Sequence, residues 1–181
     1  MQNFITDPAE GMLRGKITGV ERIFFMFKQW LSRLEESGWQ ITLGDSSESL
    51  PEDIADRYPV PAAWECFIAP VQRCVSADGN VRFLTFADYQ PEAEGVCWNQ
   101  FELRSMEAAG NDQEQRAAVT AFWNYHLPVV ICTGSTSAYY AIDTQFGSVV
   151  YGTADEPESP EVIADSFPVF IRQIISGEIS L

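Results

Sequence analysis

Leu127–Gly152, LPVVICTGSTSAYYAIDTQFGSVVYG, is the stretch whose reading decides the fold. Val129–Cys132 is a continuous apolar run, Tyr139–Asp143 is rich in aromatics, and Ser148–Tyr151 follows Thr144-Gln145-Phe146-Gly147. Short runs of this composition, separated by turn residues, predict strands. Glycine takes positive φ without steric cost, so Gly147 is placed to close a four-residue turn ending in a bulge, with the Tyr139 and Val149 segments paired as a hairpin. Farther on, Phe167, Phe170, Ile171, Ile174 and Ile175 recur at helical spacing. The expected unit is a sheet with that helix packed against it, capped by Ser166 and ended by Gly177.

Working outward, Thr18 and Glu21 have capping-box spacing ahead of an apolar stripe of Val20, Ile23, Phe24, Phe27, Trp30, Leu31 and Leu34, with Gly38 as the stop. Phe25 and Met26 widen this face, and core burial is the expected reading, ahead of a dimer contact or a membrane-leaning surface. Trp39–Leu43 alternates as a half-buried strand does. Ser49 and Glu52 repeat the capping-box spacing before a short helix that Pro59 ends, and Pro61 opens another helix with Trp64, Phe67 and Ile68 on its buried side. Val71–Val75 and Val81–Phe86 flank Asp78-Gly79, a hairpin signal. Helices are then expected over Asn99–Ala109, stopped by Gly110, and Gln113–Tyr125, capped by Asp112 and closed by Leu127-Pro128. Asp155–Glu161 reads as an exposed acidic loop. The expected class is therefore α+β, one domain with a mainly antiparallel sheet of about six strands within Val71–Val150, with Trp39–Leu43 as a candidate additional strand, and helices on one side and at the ends.

Composition bounds the function. With 181 residues, 46% hydrophobic and 13% aromatic, the chain closes a core without metal or disulfide staples. Lys and Arg number 11 against 26 Asp and Glu, a net charge of −15 that argues against binding nucleic acid or an anionic membrane and fits a soluble protein that either stays apart from its neighbours or meets a basic partner. Met1–Glu10 lacks the basic-then-apolar pattern of a signal peptide, and no apolar stretch approaches the length of about 20 residues that spans a bilayer, so the cytoplasm is the expected compartment.

The chemical templates are poorly matched. Cys66, Cys74, Cys97 and Cys132 contain no Cys-x-x-Cys pair and His126 is the sole histidine, so a zinc site is not expected and the thiols are expected to be reduced and buried. Gly134-Ser135-Thr136-Ser137 lacks the Gly-x-Ser-x-Gly elbow, and no phosphate-binding glycine loop occurs. Asp45, Glu48, Glu52 and Asp53 lack the order of a calcium loop. Acid–base candidates are Asp143, Asp88, Glu65 and His126. At a strand end, Asp143 is expected to accept backbone N–H bonds in the hairpin turn, and His126 to cap a helix end. Trp64, Trp98 and Trp123 are expected in the core rather than around a ligand. No cofactor is expected.

The order of Pro61, Trp64, Phe67 and Ile68, then Trp123, then Tyr140-Ala141-Ile142-Asp143, then Gly147, Val149 and Val150, then Ala164, Ser166, Phe167, Phe170 and Ile171 resembles the SUKH superfamily. That superfamily includes bacterial immunity proteins, Syd and yeast cell-wall synthesis regulators. The resemblance covers residues 50–175 of a single domain over 1–181, leaving residues 1–49 as an N-terminal helix-and-strand extension outside it. It implies a non-catalytic protein-binding module, foremost an immunity protein neutralising a bacterial toxin domain. The alternatives are a regulatory scaffold for a cellular partner and a small hydrolase using carboxylates. If the toxin acts on nucleic acid its surface is basic, so the expected partner-binding positions are Glu92, Glu94, Asp155, Glu156, Glu158 and Glu161.

Overall fold

The computed structural model describes residues 18–44, 48–91, 93 and 95–181. Among them the strands are β1 (Gln40–Leu43), β2 (Val71–Val75), β3 (Val81–Phe83), β4 (His126–Cys132), β5 (Ala138–Asp143), β6 (Val149–Thr153) and β7 (Glu161–Ala164). The helices are α1 (Gly19–Glu36), α2 (Glu52–Arg57), α3 (Ala62–Ile68), α4 (Gln100–Ala109), α5 (Gln113–Trp123) and α6 (Phe167–Ser176). The seven strands form one antiparallel sheet in chain order, so the class is α+β as the strand and helix patterns predict. Each connection returns the chain to the neighbouring strand, the simplest topology open to an antiparallel sheet.

The β5–β6 hairpin forms as expected. The Asp143 carbonyl accepts the Gly147 N–H at 2.7 Å, and Gly147 has φ 76°, a conformation that strains any residue with a Cβ. In the β2–β3 turn the Asp78 carboxylate accepts the Ser76 hydroxyl at 2.6 Å and the Asn80 N–H at 3.0 Å, the local bonding that makes aspartate a turn former. Pro128 lies inside β4 rather than closing α5. With no N–H it cannot take a full place in the ladder, and the register shifts between Pro128 and Val130.

Adjacent strand residues point to opposite faces, and β5 uses this to organise the core. Tyr140 meets Phe170 of α6 at 5.2 Å between ring centroids. On the same face Phe83, in register with Val130 and through it with Tyr140, meets Trp30 of α1 at 5.1 Å. Trp30 in turn packs on Phe67 of α3 at 4.8 Å, and Phe67 on Phe167 of α6 at 5.3 Å. Tyr139 faces the other way, onto Phe101 of α4 at 4.9 Å and Trp123 of α5 at 5.1 Å. A strand covered on both faces carries apolar residues continuously rather than alternately, which is why VVIC and AYYAI show no polar phase.

The structure departs from expectation at several places. A seventh strand, β7, starts at Glu161, where an acidic loop was expected; Glu161 pairs with Tyr151 and Val162 with Val150. Its outward position leaves Val162 exposed, so no alternating pattern marks it in the sequence. Pro51, not Ser49, caps α2. Ser166 does occupy the N-cap of α6 but its side chain makes no capping bond, and Pro168 removes one of the two N–H groups, at the second and third helical positions, that such a cap can use. The Thr18/Glu21 box on α1 is formed. The α1 stripe, however, is buried only at Phe27, Trp30 and Leu34 with Met26, while Val20 and Phe24 are exposed. Cys74 is buried as expected, but Cys66 and Cys97 are exposed.

Candidate functional site

The acidic segment after β6 is held against the Tyr139 face of the sheet by two side chains that reach outward from the core. The indole N–H of Trp123 donates to a Glu158 carboxylate oxygen at 2.8 Å, and the Tyr139 hydroxyl donates to the Pro157 carbonyl. The Tyr139 ring reaches that carbonyl by lying across Gly152, its cross-strand partner, where a Cβ would clash with the Tyr139 Cζ. Burial, with Glu158 close by adding to it, pushes the Tyr139 phenol above its ordinary value, so it stays a donor. The segment is thus anchored at Pro157 and Glu158, and from it Asp155 and Glu156 project exposed.

The expected positions therefore divide. Asp155 and Glu156 are free to meet a partner. Glu158 is half-buried and spends one oxygen on Trp123, so it holds the loop as well as adding charge. Glu161 is exposed but belongs to β7. Glu92 and Glu94 lie outside the described residues. A cleft of about 300 Å³ separates the loop from α4 and α5, with Arg104 and Ser105 on one wall and Asp155 and Glu158 on the other. On those helices and the turn between them Glu107, Asp112 and Glu114 are also exposed. Asp155 and Glu156 can accept charge-assisted hydrogen bonds from lysine or arginine side chains.

The remaining motif residues serve packing and turns. Pro61 is the N-cap of α3, and Trp64, Phe67, Trp123, Tyr140, Phe167 and Phe170 are buried. Trp98 is half-buried against Tyr58 and Tyr89 at the edge of the core, where, contrary to expectation, it also lines an open cleft of about 310 Å³ with Gln90 and Asn99. Asp143 accepts the Gln145 N–H at 2.9 Å and approaches the Phe146 N–H at 3.4 Å through one oxygen, as expected of a turn former. Its other oxygen lies 3.8 Å from His126 Nε2. The Nδ1 of His126 donates to the Phe122 carbonyl at the end of α5, 2.8 Å away, and the imidazole stacks on the Phe122 ring at 3.9 Å. Both side chains thus bond to the backbone that positions them. Asp88 is buried, with the Thr85 N–H at 2.8 Å and the Arg82 guanidinium as partners.

Among the described residues no group of three or more His, Cys, Asp or Glu is placed to hold a metal ion, and no helix is long and apolar enough to cross a membrane. No family model, curated protein or solved structure matches the chain.

Proposed function

We propose that this protein is a non-catalytic binding module, an immunity protein that neutralises a basic toxin domain through its acidic loop. The observation that carries the reading is the double anchorage of that loop: Trp123 and Tyr139 fix Glu158 and Pro157, so Asp155 and Glu156 are presented by a pre-ordered segment. A binder whose charges are already ordered loses less entropy on association. The net charge of −15 supports the same reading, because complementary fields steer a basic partner and disfavour wrong ones. So does the order of motifs, which resembles that of the SUKH superfamily. The regulatory-scaffold alternative would use the same surface with a different partner.

Gene neighbourhood separates the two readings: an immunity gene lies beside one for a large secreted toxin, and its product restores growth when co-expressed with that toxin's C-terminal domain. With that domain in hand, D155K/E156K should slow association by on the order of tenfold at low salt and leave the melting temperature unchanged. Raising salt until the screening length falls from about 10 to about 3 Å should slow the unmodified pair similarly. Glu158→Lys should behave differently and lower the melting temperature, because it strands the Trp123 N–H. A cognate toxin whose binding ignores both salt and the reversals refutes the electrostatic mechanism. A neighbourhood without a toxin gene, with no growth rescue, refutes the immunity role.

A further inference from the structure

The first two turns of α1 carry apolar side chains left exposed among the described residues: Val20 is 75% exposed, Phe24 57% and Phe25 64%, with Leu43 of β1 beside them at 49%. Large apolar side chains gathered in one place on a surface mark an interaction site. Here they form a ridge with a cleft on each side. One cleft, of about 360 Å³, is lined by Val20, Ile23, Phe24, Leu43 and Pro70; the other, of about 440 Å³, by Ile23, Phe25, Met26 and Pro168. A helical ridge between two grooves is the shape into which another helix packs.

Charge decides what kind of helix. The chain carries −15, yet Arg22 and Arg172 line the second cleft, and Lys28 Nζ lies over the Phe24 ring at 4.5 Å. None of these cations forms an ion pair among the described residues. The carboxylate of these turns, Glu21, is already committed to the Thr18 N–H at 2.7 Å. A second copy of the chain would oppose like cations at the contact while bringing together two strongly acidic molecules, and an anionic membrane would be repelled by the molecule as a whole. A short helix with one apolar face flanked by carboxylates opposes no cations, and unlike an extended membrane it places its charges only beside Arg22, Arg172 and Lys28, where screening over about 10 Å weakens the repulsion from distant carboxylates.

We infer that the N-terminal half of α1, with Leu43, is a second docking surface, built for an acidic amphipathic helix of a partner protein. The site goes beyond the toxin-binding reading and does not depend on it. The α1 helix packs on the Tyr140 face of the sheet and the acidic loop on the Tyr139 face, so both surfaces can be occupied together.

The test uses the full chain and two synthetic helix-forming peptides with leucine along one face, flanked in one by glutamate and in the other by lysine. Fluorescence anisotropy should show the glutamate peptide binding and the lysine peptide not. Phe24→Ser and Leu43→Ser should each weaken binding by about tenfold. Because both side chains are about half exposed, the melting temperature should hold. R22E/K28E should reverse the preference between the peptides. Equal binding of both peptides, no binding of the glutamate peptide at millimolar concentration, or indifference to Phe24→Ser overturns the proposal. So does dimerisation in sedimentation velocity that Phe24→Ser abolishes, which would assign the face to a second copy. Co-sedimentation with phosphatidylserine vesicles in place of peptide binding would assign it to lipid.

Discussion

At the residue scale, Gly152 shows how one missing atom places a functional segment. The Tyr139 ring occupies the space a side chain at 152 would fill, and from there its hydroxyl holds the Pro157 carbonyl. Gly152→Ala forces the ring aside in a close-packed region, and overpacking of this kind costs about 1–3 kcal/mol. Urea denaturation should show that loss, and the chain after β6 should become more open to proteolysis. In a Tyr139→Leu background the ring is gone, so the added methyl should cost much less. Equal costs in the two backgrounds would mean that Tyr139 is not what requires glycine. The Tyr139-Tyr140 pair and the following strands are legible in the sequence; the demand on residue 152 is not, because it comes from a side chain on the neighbouring strand.

At the element scale, the turn between β3 and α4 is built around the buried Asp88 carboxylate. Asp88 accepts the Thr85 N–H at 2.8 Å and the Thr85 hydroxyl at 3.1 Å, capping the 3-10 turn Phe86–Tyr89, and also pairs with Arg82 of β3. The same turn is tied to β4 by the Tyr89 hydroxyl, which donates to the Pro128 carbonyl at 2.6 Å. Asp88→Ala leaves the buried Thr85 N–H without its acceptor, which costs about 1–3 kcal/mol, while the part-exposed Arg82 can turn to water. Arg82→Met should cost less, because the carboxylate keeps both Thr85 donors. Chemical denaturation of the two variants checks the order, and a larger loss for Arg82→Met would show that the strand, not the turn, depends on the pair. Asp88 was visible in the sequence only as a carboxylate at a strand end. Which donors surround it is set by the return of β3 beneath the turn.

On the scale of the whole molecule, four of the six tyrosines report the integrity of the core. Burial raises the phenols of Tyr58, Tyr89 and Tyr139 above their ordinary value and pushes Tyr140 up to about 12. An unfolded phenol ionises near pH 10 and the folded one holds its proton to higher pH, so their contribution to stability is complete below about pH 10 and is lost as pH rises beyond it. The melting temperature should therefore fall steadily above about pH 10, and the tyrosinate absorbance of these residues should appear together with unfolding. Simple titration near the ordinary value without any change in melting would show that the core admits water.

What the sequence determined by itself was mostly local. The Thr18/Glu21 cap, the Asp112 cap, the Asp78 turn and the Gly147 hairpin each depend on residues a few positions apart, so spacing was enough to predict them. The apolar runs of β4 and β5 likewise placed the centre of the sheet. Only the tertiary structure decided which apolar stripe is covered: α1 carries one stripe, but packing buries Phe27, Trp30 and Leu34 and leaves Val20 and Phe24 outside. It also recruited β7 at an edge and turned Glu158 from a loop charge into the partner of Trp123. Burial and long-range pairing belong to surfaces brought together from distant parts of the chain, and no periodicity within one segment records what will arrive to cover it.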